Sequence, residues 1–172
     1  MKTNKKIIGC YWGRFNPVHK GHVLLIKKLL KKVDELVIAI GSSQEKNTKR
    51  NPFSGNERKQ MIQAFLKEEK ISKNKYTVIT VSDGKSFNSS VANLLFKAPK
   101  FDIIFTDKES IIKILKKKVQ VEKIKRIGKI SSTKIRNAIA FDNPWYSLTG
   151  ESVVRLILKF NGIKRIKKAY NK

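Results

Sequence analysis

The stretch GRFNPVHKGH, residues 13–22, separates the apolar run IIGCYW from HVLLIKKLLKKV, in which apolar residues recur at helical spacing. It contains both histidines of the chain, His19 and His22, which are three residues apart. A short apolar run, a glycine-containing turn and an amphipathic segment together predict a buried strand, a loop and a helix. The chain thus places its only two histidines at a predicted strand-to-helix turn.

The same alternation continues along the chain. Strands are predicted at 6–12, 35–41, 76–83, 101–107 and 121–128. Helices are predicted at 19–33, 55–70, 89–96, 110–119, 131–140 and 151–160, before a basic tail. Strands that alternate with helices favour an α/β fold with a parallel sheet and helices on both faces. In such a sheet, ligands bind beyond the carboxyl ends of the strands, where the strand order reverses.

The length of 172 residues favours a single domain. The segment DNPW, residues 142–145, is the best candidate for a boundary, because Pro144 and the polar residues before it interrupt the helical pattern. We therefore expect a core of residues 1–141 and a short helical C-terminal appendage of the same domain, residues 142–172.

The chain is strongly basic, with 39 Lys and Arg against 13 Asp and Glu and a net charge of +26. Such a charge makes nucleic acid the first partner to consider. The lysines, however, lie along the whole chain and fill the polar faces of predicted helices. No zinc-finger spacing, RNA-binding aromatic signature or glycine-arginine tract is present. A specific nucleic-acid partner is therefore disfavoured.

Two further features concern the compartment. Cys10 is the only cysteine, which excludes an intramolecular disulfide and favours a reducing compartment. No apolar run approaches the roughly 18 residues that a membrane span needs. We expect a cytoplasmic protein with no membrane partner.

The opening stretch has the residue types of a phosphate site. Helix N-termini present backbone N–H groups and the positive end of the helix dipole, which suit an anion. His19 and His22 can face one ligand, and Arg14 can add a bidentate contact to phosphate. Gly13 and Gly21 allow close approach of the backbone. The alternative is that both histidines are ordinary capping or surface residues.

A second stretch, ISSTKIR at residues 130–136, opens another predicted helix. Ser131, Ser132 and Thr133 can cap its N-terminus or bind phosphate, and Arg136 lies one turn inside. A plain helix cap with an exposed arginine is the alternative. No P-loop or G-x-G-x-x-G motif is present. The H-x-x-H spacing lacks a third ligand nearby, so no metal-binding residues are predicted.

These stretches carry a family resemblance. GRFNPVHKGH resembles the signature of the HxGH nucleotidyltransferases, and ISSTKIR resembles their second signature. GSSQEKNTKRNPFSGNER, residues 41–58, and ESVVRLILKFNGIKRI, residues 151–166, make the chain most similar to the archaeal-type nicotinamide-nucleotide adenylyltransferases. The resemblance implies a Rossmann-like fold and the transfer of an adenylyl group from ATP to nicotinamide mononucleotide, giving NAD and pyrophosphate with Mg²⁺. It also implies a homo-oligomer.

The resemblance assigns the two signatures to ATP. It implies that the phosphates are bound by basic and hydroxyl side chains: Arg14, His19, His22, Ser132, Thr133 and Arg136. His19 and His22 would stabilise charge on the α-phosphate. This fits the residues by themselves, because one phosphate can attack another without a protein nucleophile, and catalysis then rests on positioning and charge stabilisation.

The acceptor is assigned to other segments. The resemblance implies that Arg50, Asp83 and Asn88 lie near the nicotinamide mononucleotide. The stacking tryptophan of the family falls on Val91 here, so Phe87 is the candidate substitute. The family's Gln-Pro-Phe is also replaced by Asn-Pro-Val, and TDKES replaces an asparagine-containing loop.

Two other functions stay open at this point. One is a related adenylyl- or cytidylyltransferase that acts on another phosphate acceptor, such as phosphopantetheine. The other is a basic nucleotide- or RNA-binding protein with the same fold and without the chemistry. Retention of both signatures argues against the second.

Overall fold

The computed structural model describes residues 5–125 and 127–171. The extreme ends of the predicted segments 1–141 and 142–172, and Arg126 of the predicted fifth strand, lie outside the described residues. Five strands are formed: β1 (Ile8–Gly13), β2 (Glu35–Ile40), β3 (Tyr76–Thr80), β4 (Ile103–Thr106) and β5 (Gln120–Lys123). Seven α-helices are formed: α1 (Lys20–Leu29), α2 (Gly55–Glu68), α3 (Phe87–Lys97), α4 (Glu109–Leu115), α5 (Ser132–Ala140), α6 (Glu151–Lys159) and α7 (Gly162–Tyr170).

The strands form one parallel sheet in the order β3-β2-β1-β4-β5. From β1 the chain first builds outward through β2 and β3, and then returns to the other side of β1 to build β4 and β5. The strand order therefore reverses between β1 and β4, which is the position where sheets of this kind bind ligands. The predicted α/β fold is confirmed.

Helices cover both faces of the sheet. On one face, Cys10 of β1 lies in a core with Val91 and Leu94 of α3 and Leu115 of α4. The other face packs against α1, α2, α5, α6 and α7 in a larger core. Within the described part of the chain, no helix combines the length and apolar character needed to cross a membrane.

Helix α1 is shorter than the periodicity predicts. It ends at Leu29, not Val33, and the following residues close as a turn with Lys32 N–H donating to Leu29 O at 2.8 Å. Val33 is still buried, because the turn carries it into the core beside the first residues of β2. Burial of Val33 therefore satisfies the apolar pattern without a helix.

The basic tail at the end of the predicted helical appendage forms a helix of its own, α7, over residues 162–170. Its Ile166 is fully buried, while its lysines remain at least partly exposed to solvent. The close approach depends on Gly162, where a Cβ would lie 2.7 Å from the ring of Phe53. The many basic residues of this segment obscured the helical spacing of its apolar residues in the sequence.

Candidate active site

A cleft opens at the carboxyl edge of the sheet, where the strand order reverses between β1 and β4. The ends of β1 and β4, the start of α1 and the segment that opens α5 contribute to it. Ten of the residues predicted from the sequence line this one cleft: Gly13, Arg14, His19, Gly21, His22, Arg50, Ser131, Ser132, Thr133 and Arg136. Two segments more than 100 residues apart in sequence thus meet as expected.

The two histidines lie against each other at the start of α1. His19 is the N-cap residue, and the ring centroids of His19 and His22 are 3.6 Å apart. Nδ1 of His22 accepts a hydrogen bond from the backbone N–H of His19 at 3.2 Å. An accepting Nδ1 leaves Nε2 of the neutral His22 ring to carry the proton, so this ring can donate from Nε2. Phe15 packs on His22 with a centroid distance of 4.9 Å.

The predicted glycines make room for neighbours within the chain. A Cβ at Gly21 would lie 2.9 Å from the carbonyl oxygen of Ile127. A Cβ at Gly13 would lie 2.9 Å from the ring of Phe15, which itself has a φ of 50°. A left-handed phenylalanine costs backbone energy and persists only where its surroundings hold it. This turn is therefore held by specific contacts.

Arg58 supplies several of those contacts. It is fully buried in α2, yet no carboxylate accepts its hydrogen bonds among the described residues. Its guanidinium donates instead to the carbonyl oxygens of Arg14 at 2.8 Å, Gly41 at 2.9 Å and Ser42 at 2.9 Å. Burial lowers the pKa of Arg58 to about 10. Arg58 joins the turns that follow β1 and β2, and it places a buried positive charge beneath the cleft.

Arg14 lines the cleft. Its Nη1 is buried and has no hydrogen-bond partner among the described residues. A buried guanidinium N–H without an acceptor is costly, and an anionic oxygen would satisfy it. Arg14 is therefore available for a ligand, whereas the backbone around it is fixed.

The two serine hydroxyls of the second signature form different hydrogen bonds. Ser131 is the N-cap of α5 and accepts from the N–H of Lys134 at 3.2 Å. The hydroxyl of Ser132 donates to the carbonyl of Pro17 at 2.8 Å, across 115 residues of sequence. Ser132 therefore joins the two signatures directly.

Arg136 lies in the cleft wall, but its guanidinium already donates hydrogen bonds to other residues of the chain. It donates to the carbonyls of Lys49 at 3.0 Å and Asn16 at 2.9 Å, and to Oγ1 of Thr133 at 3.2 Å. Burial lowers its pKa below the ordinary value for arginine. Arg136 also forms a side-chain hydrogen bond with Tyr170 of α7. The alternative of a plain helix cap with an exposed arginine is wrong, because Arg136 is buried and braces the cleft wall.

The loop that carries Arg50 is held by the C-terminal helix. Arg165 of α7 donates to both carboxylate oxygens of Glu57, at 2.6 and 3.0 Å, and to the carbonyl of Pro52 at 2.5 Å. Its Nε donates to Asn47 at 2.9 Å. The predicted appendage therefore supports one wall of the cleft.

Of the residues predicted for the acceptor, Arg50 lines the cleft and the other four do not. Asp83, Phe87, Asn88 and Val91 do not line it. Asp83 accepts from the N–H of Ser42 at 3.2 Å. Val91 is only 2 % exposed and belongs to a core cluster, and its role at the acceptor stays a prediction. Helix α3 begins at Phe87, two residues before the predicted start.

Trp12 and Lys108 line the cleft although the sequence reasoning did not select them. Trp12 stacks on Phe87 with centroids 6.5 Å apart and planes 20° apart. The sequence did contain an indication of this, because Trp12 is the penultimate residue of β1 and Lys108 follows β4. The carboxyl ends of neighbouring parallel strands meet at one edge of the sheet. Arg58 was also missed, although it lies on the same face of α2 as the apolar Met61 and Ile62.

The cleft has no dedicated metal cluster. No group of three or more His, Cys, Asp or Glu that could hold an ion occurs among residues 5–125 and 127–171. Its donors are mainly histidine, arginine and hydroxyl groups, with Asp107 as the carboxylate. Such a set suits the oxygens of an anion better than a bare cation.

Comparison with known proteins agrees with this geometry. Residues 10–138 match the family model described as cytidylyltransferase-like. The chain is 36% identical over 163 residues to the nicotinamide-nucleotide adenylyltransferase of Thermococcus sibiricus, covering 92% of this chain and 87% of that protein. It is 35% identical over 162 residues to the enzyme of the same name from Saccharolobus solfataricus, covering 92% and 94%.

Solved structures share the fold. A bifunctional NMN adenylyltransferase/ADP ribose pyrophosphatase from Francisella tularensis, complexed with AMP and a manganese ion, superposes with a TM-score of 0.78 at 20% identity. The match covers 95% of this chain and 52% of that protein, so this chain spans about half its length. A putative nicotinate-nucleotide adenylyltransferase from Vibrio parahaemolyticus superposes with a TM-score of 0.64, covering 89% and 99%.

Proposed function

This chain belongs to the cytidylyltransferase-like family and, within it, to the nicotinamide-nucleotide adenylyltransferases, and we propose that it joins ATP and nicotinamide mononucleotide to form NAD and pyrophosphate. One observation carries the proposal. The two signatures meet across a single cleft at the reversal of strand order, with the N-termini of α1 and α5 at its wall. Helix N-termini and cationic side chains together suit a polyphosphate.

The chemistry needs no nucleophile from the protein. A phosphate oxygen of nicotinamide mononucleotide attacks the α-phosphorus of ATP, and the bond from that phosphorus to the β-phosphate oxygen breaks as pyrophosphate leaves. In our proposal, Nε2–H of His22 donates to the oxygens of the α-phosphate, where negative charge builds. A donor aimed at developing charge in a preorganised cleft is worth far more than the same donor in water.

The other proposed roles follow from the same contacts. Arg14 binds the triphosphate through its guanidinium, whose Nη1 has no partner among the described residues, and Arg136 lies in the cleft wall beside it. Ser131, Ser132 and Thr133 position the backbone N–H groups of α5 toward the phosphates. The loop held by Arg165 places Arg50 beside the nucleotides.

The metal enters with the nucleotide in this proposal. The structure offers no cluster of ligands for a resident ion among its described residues, so Mg²⁺ bound to the triphosphate is the form that we propose. When bound, the ion neutralises phosphate charge. Homo-oligomer formation and a cytoplasmic location remain predictions.

The test is product formation from defined substrates. The purified chain is incubated with Mg²⁺, ATP and nicotinamide mononucleotide, and both NAD and pyrophosphate are measured. CTP replaces ATP in one series, and phosphopantetheine and flavin mononucleotide replace the acceptor in another. We expect equal amounts of NAD and pyrophosphate. If an acceptor without a pyridine ring gives a kcat/KM about tenfold higher, about 1.4 kcal/mol of discrimination, the proposed reaction is wrong.

A further inference from the structure

The turn between β1 and α1 is fixed through its backbone carbonyls. Donors from α2 and α5 bind the carbonyl oxygens of Arg14, Asn16 and Pro17. A further donor comes from the C-terminal part of the chain, because Oγ1 of Thr149 donates to the carbonyl of Val18 at 2.9 Å. The C-terminal appendage therefore makes a direct hydrogen bond to the segment that carries both histidines.

Thr149 approaches this turn from a fixed position. It is only 3% exposed and directly precedes the N-cap residue of α6. The carboxylate of Glu68, in α2, accepts from the backbone N–H groups of Glu151 at 3.1 Å and Ser152 at 2.8 Å. These hydrogen bonds attach the start of α6 to α2, so the hydroxyl of Thr149 is placed before any ligand binds.

The carbonyl that Thr149 binds belongs to the same peptide unit as the N–H of His19. That N–H donates to Nδ1 of His22 at 3.2 Å. The C=O and N–H of a trans peptide unit point in opposite directions, so a hydrogen bond at each end opposes rotation of the unit. A hydrogen bond accepted by the carbonyl also polarises the unit and strengthens its N–H as a donor. A chain of two hydrogen bonds thus connects Thr149 to the ring of His22.

We propose that Thr149 is a positioning residue of the active site, whose hydroxyl holds the Val18–His19 peptide unit so that Nδ1 of His22 accepts and Nε2 carries the proton. This inference rests on the proposed function, in which Nε2–H of His22 donates to the α-phosphate. Thr149 does not line the cleft and acts through His22. Without the hydroxyl, the peptide unit can rotate and the ring can adopt the other neutral tautomer, which has no donor at Nε2.

The first test removes the hydroxyl and keeps the shape of the side chain. In Thr149→Val we expect kcat to fall about tenfold while KM for ATP and for nicotinamide mononucleotide changes less than about twofold, because only a donor to developing charge is lost. Thr149→Ser retains the hydroxyl and should keep kcat within about threefold of the parent.

Thr77→Val is the matched control for this test. It makes the same exchange at a hydroxyl that donates to Glu35 at 2.9 Å. Thr77 lies near the start of β3, at the edge of the sheet opposite the cleft. We expect Thr77→Val to have the kcat and both KM values of the parent.

The second test observes the ring of His22 without substrate. The chain has only two histidines, so ¹⁵N-labelled protein without an added tag gives two sets of ring signals, and His22→Ala identifies the set of His22. At a pH where both rings are neutral, long-range ¹H–¹⁵N spectra show which nitrogen carries the proton. The parent, Thr149→Ser and Thr77→Val should show it on Nε2. Thr149→Val should show a substantial fraction on Nδ1.

A second pair of variants covers a failure to fold. If Thr149→Val does not fold, Thr149→Cys replaces it, because a thiol is a weak donor, and Thr149→Ser is then its control of nearly equal shape. The same fall in kcat and the same change of tautomer are expected for Thr149→Cys relative to Thr149→Ser.

The outcomes separate this inference from the proposed function. If the parent forms no NAD, the proposed function fails, and the spectra still decide whether Thr149 controls the tautomer of His22. If the parent forms NAD, three results would each overturn the inference alone. These are an unchanged kcat in Thr149→Val, a proton that stays on Nε2 in that variant, and a loss of kcat in Thr149→Ser as large as in Thr149→Val.

Discussion

The two sides of the cleft are built in different ways. One side, the phosphate side, consists of residues 13–22 and 130–136, each a continuous segment that opens a helix. The other, the ring side, is lined by Trp12 of β1 and by Lys108, which follows β4, and Phe87 of α3 stacks on Trp12. The phosphate side therefore consists of two short segments of the same kind, each at the start of a helix. The ring side exists only because three distant segments meet.

The difference follows from the two kinds of ligand group. A phosphate is recognised by backbone N–H groups and a helix dipole, which a short segment provides by itself. A ring needs a flat apolar surface whose position is set by neighbouring side chains. We therefore expect substitutions on the phosphate side to change kcat and those on the ring side to change acceptor KM. The predictions below test this division, from the largest expected effect to the smallest.

The largest effect is expected for His22→Ala. Loss of a donor to developing charge should lower kcat by about 10²–10³, with a smaller change in KM. Steady-state kinetics and Tm are measured together, since the ring of His22 also accepts the N–H of His19. A folded variant with unchanged kcat and a lower Tm would mean that His22 only caps α1.

The second-largest effect is expected for Arg136→Lys. Lysine cannot reproduce the planar fork that reaches Asn16 and Lys49 together, so we expect kcat/KM to fall about tenfold and Tm to fall as well. Arg155→Lys is the control, because Arg155 is exposed and its ion pair with Glu151 lies on its own helix. Equal kcat/KM in Arg136→Lys and the parent would show that only charge matters at this position.

Val91→Trp tests the ring side directly. Because Val91 is buried, the larger side chain should overpack the core and reduce the free energy of unfolding by about 1–3 kcal/mol. Denaturant unfolding measures the change, and Phe96→Trp on the exposed face of α3 should have little effect. A stable Val91→Trp variant with a lower KM for the acceptor would mean that this position faces the ligand after all.

The smallest effect concerns the support of the cleft. Burial opposes ionisation of Glu57, but hydrogen bonds from Arg165 and the N–H of Ser54 outweigh it and hold the pKa of Glu57 below its ordinary value. A carboxylate with a lowered folded-state pKa stabilises the fold above its unfolded pKa of about 4.3, and this contribution is lost as pH falls through the folded value.

Glu57→Gln should therefore lower Tm by about 2–4 °C at pH 7, and the difference from the parent should shrink below pH 4. Thermal unfolding from pH 7 to pH 3 measures it. Glutamine can still complete the capping box at Ser54, so loss of the ion pair with Arg165 accounts for the change. A Tm difference that is constant with pH would show that the charge of Glu57 contributes nothing.

Much of the phosphate side could be predicted, whereas Trp12 and Lys108 of the ring side could not. His19, Arg14 and Ser132 lie in motifs whose spacing marks a helix start, so their meeting in one cleft follows from a parallel sheet. Val91 was selected because the family's stacking tryptophan falls on it, but such a match does not say which side of α3 packs into the core, where Val91 is buried. Arg58 could not be assigned, because its acceptors are backbone carbonyls of other loops.

The sequence by itself determined the alternation of strands and helices, the family and the two phosphate segments. Each of these depends on short-range patterns: apolar periodicity, glycine in a turn, and the residues that open a helix. Only the tertiary structure decided that Trp12, Phe87 and Lys108 face one another, and that Arg136 braces the cleft as well as lining it. Those relations depend on the order of β1 and β4 and on the exact start of α3. Successive residues of a strand or helix point in different directions, so an error of one residue in an element's position changes which side chains face the site. The order of strands and helices is unaffected by an error of two residues in the ends of an element.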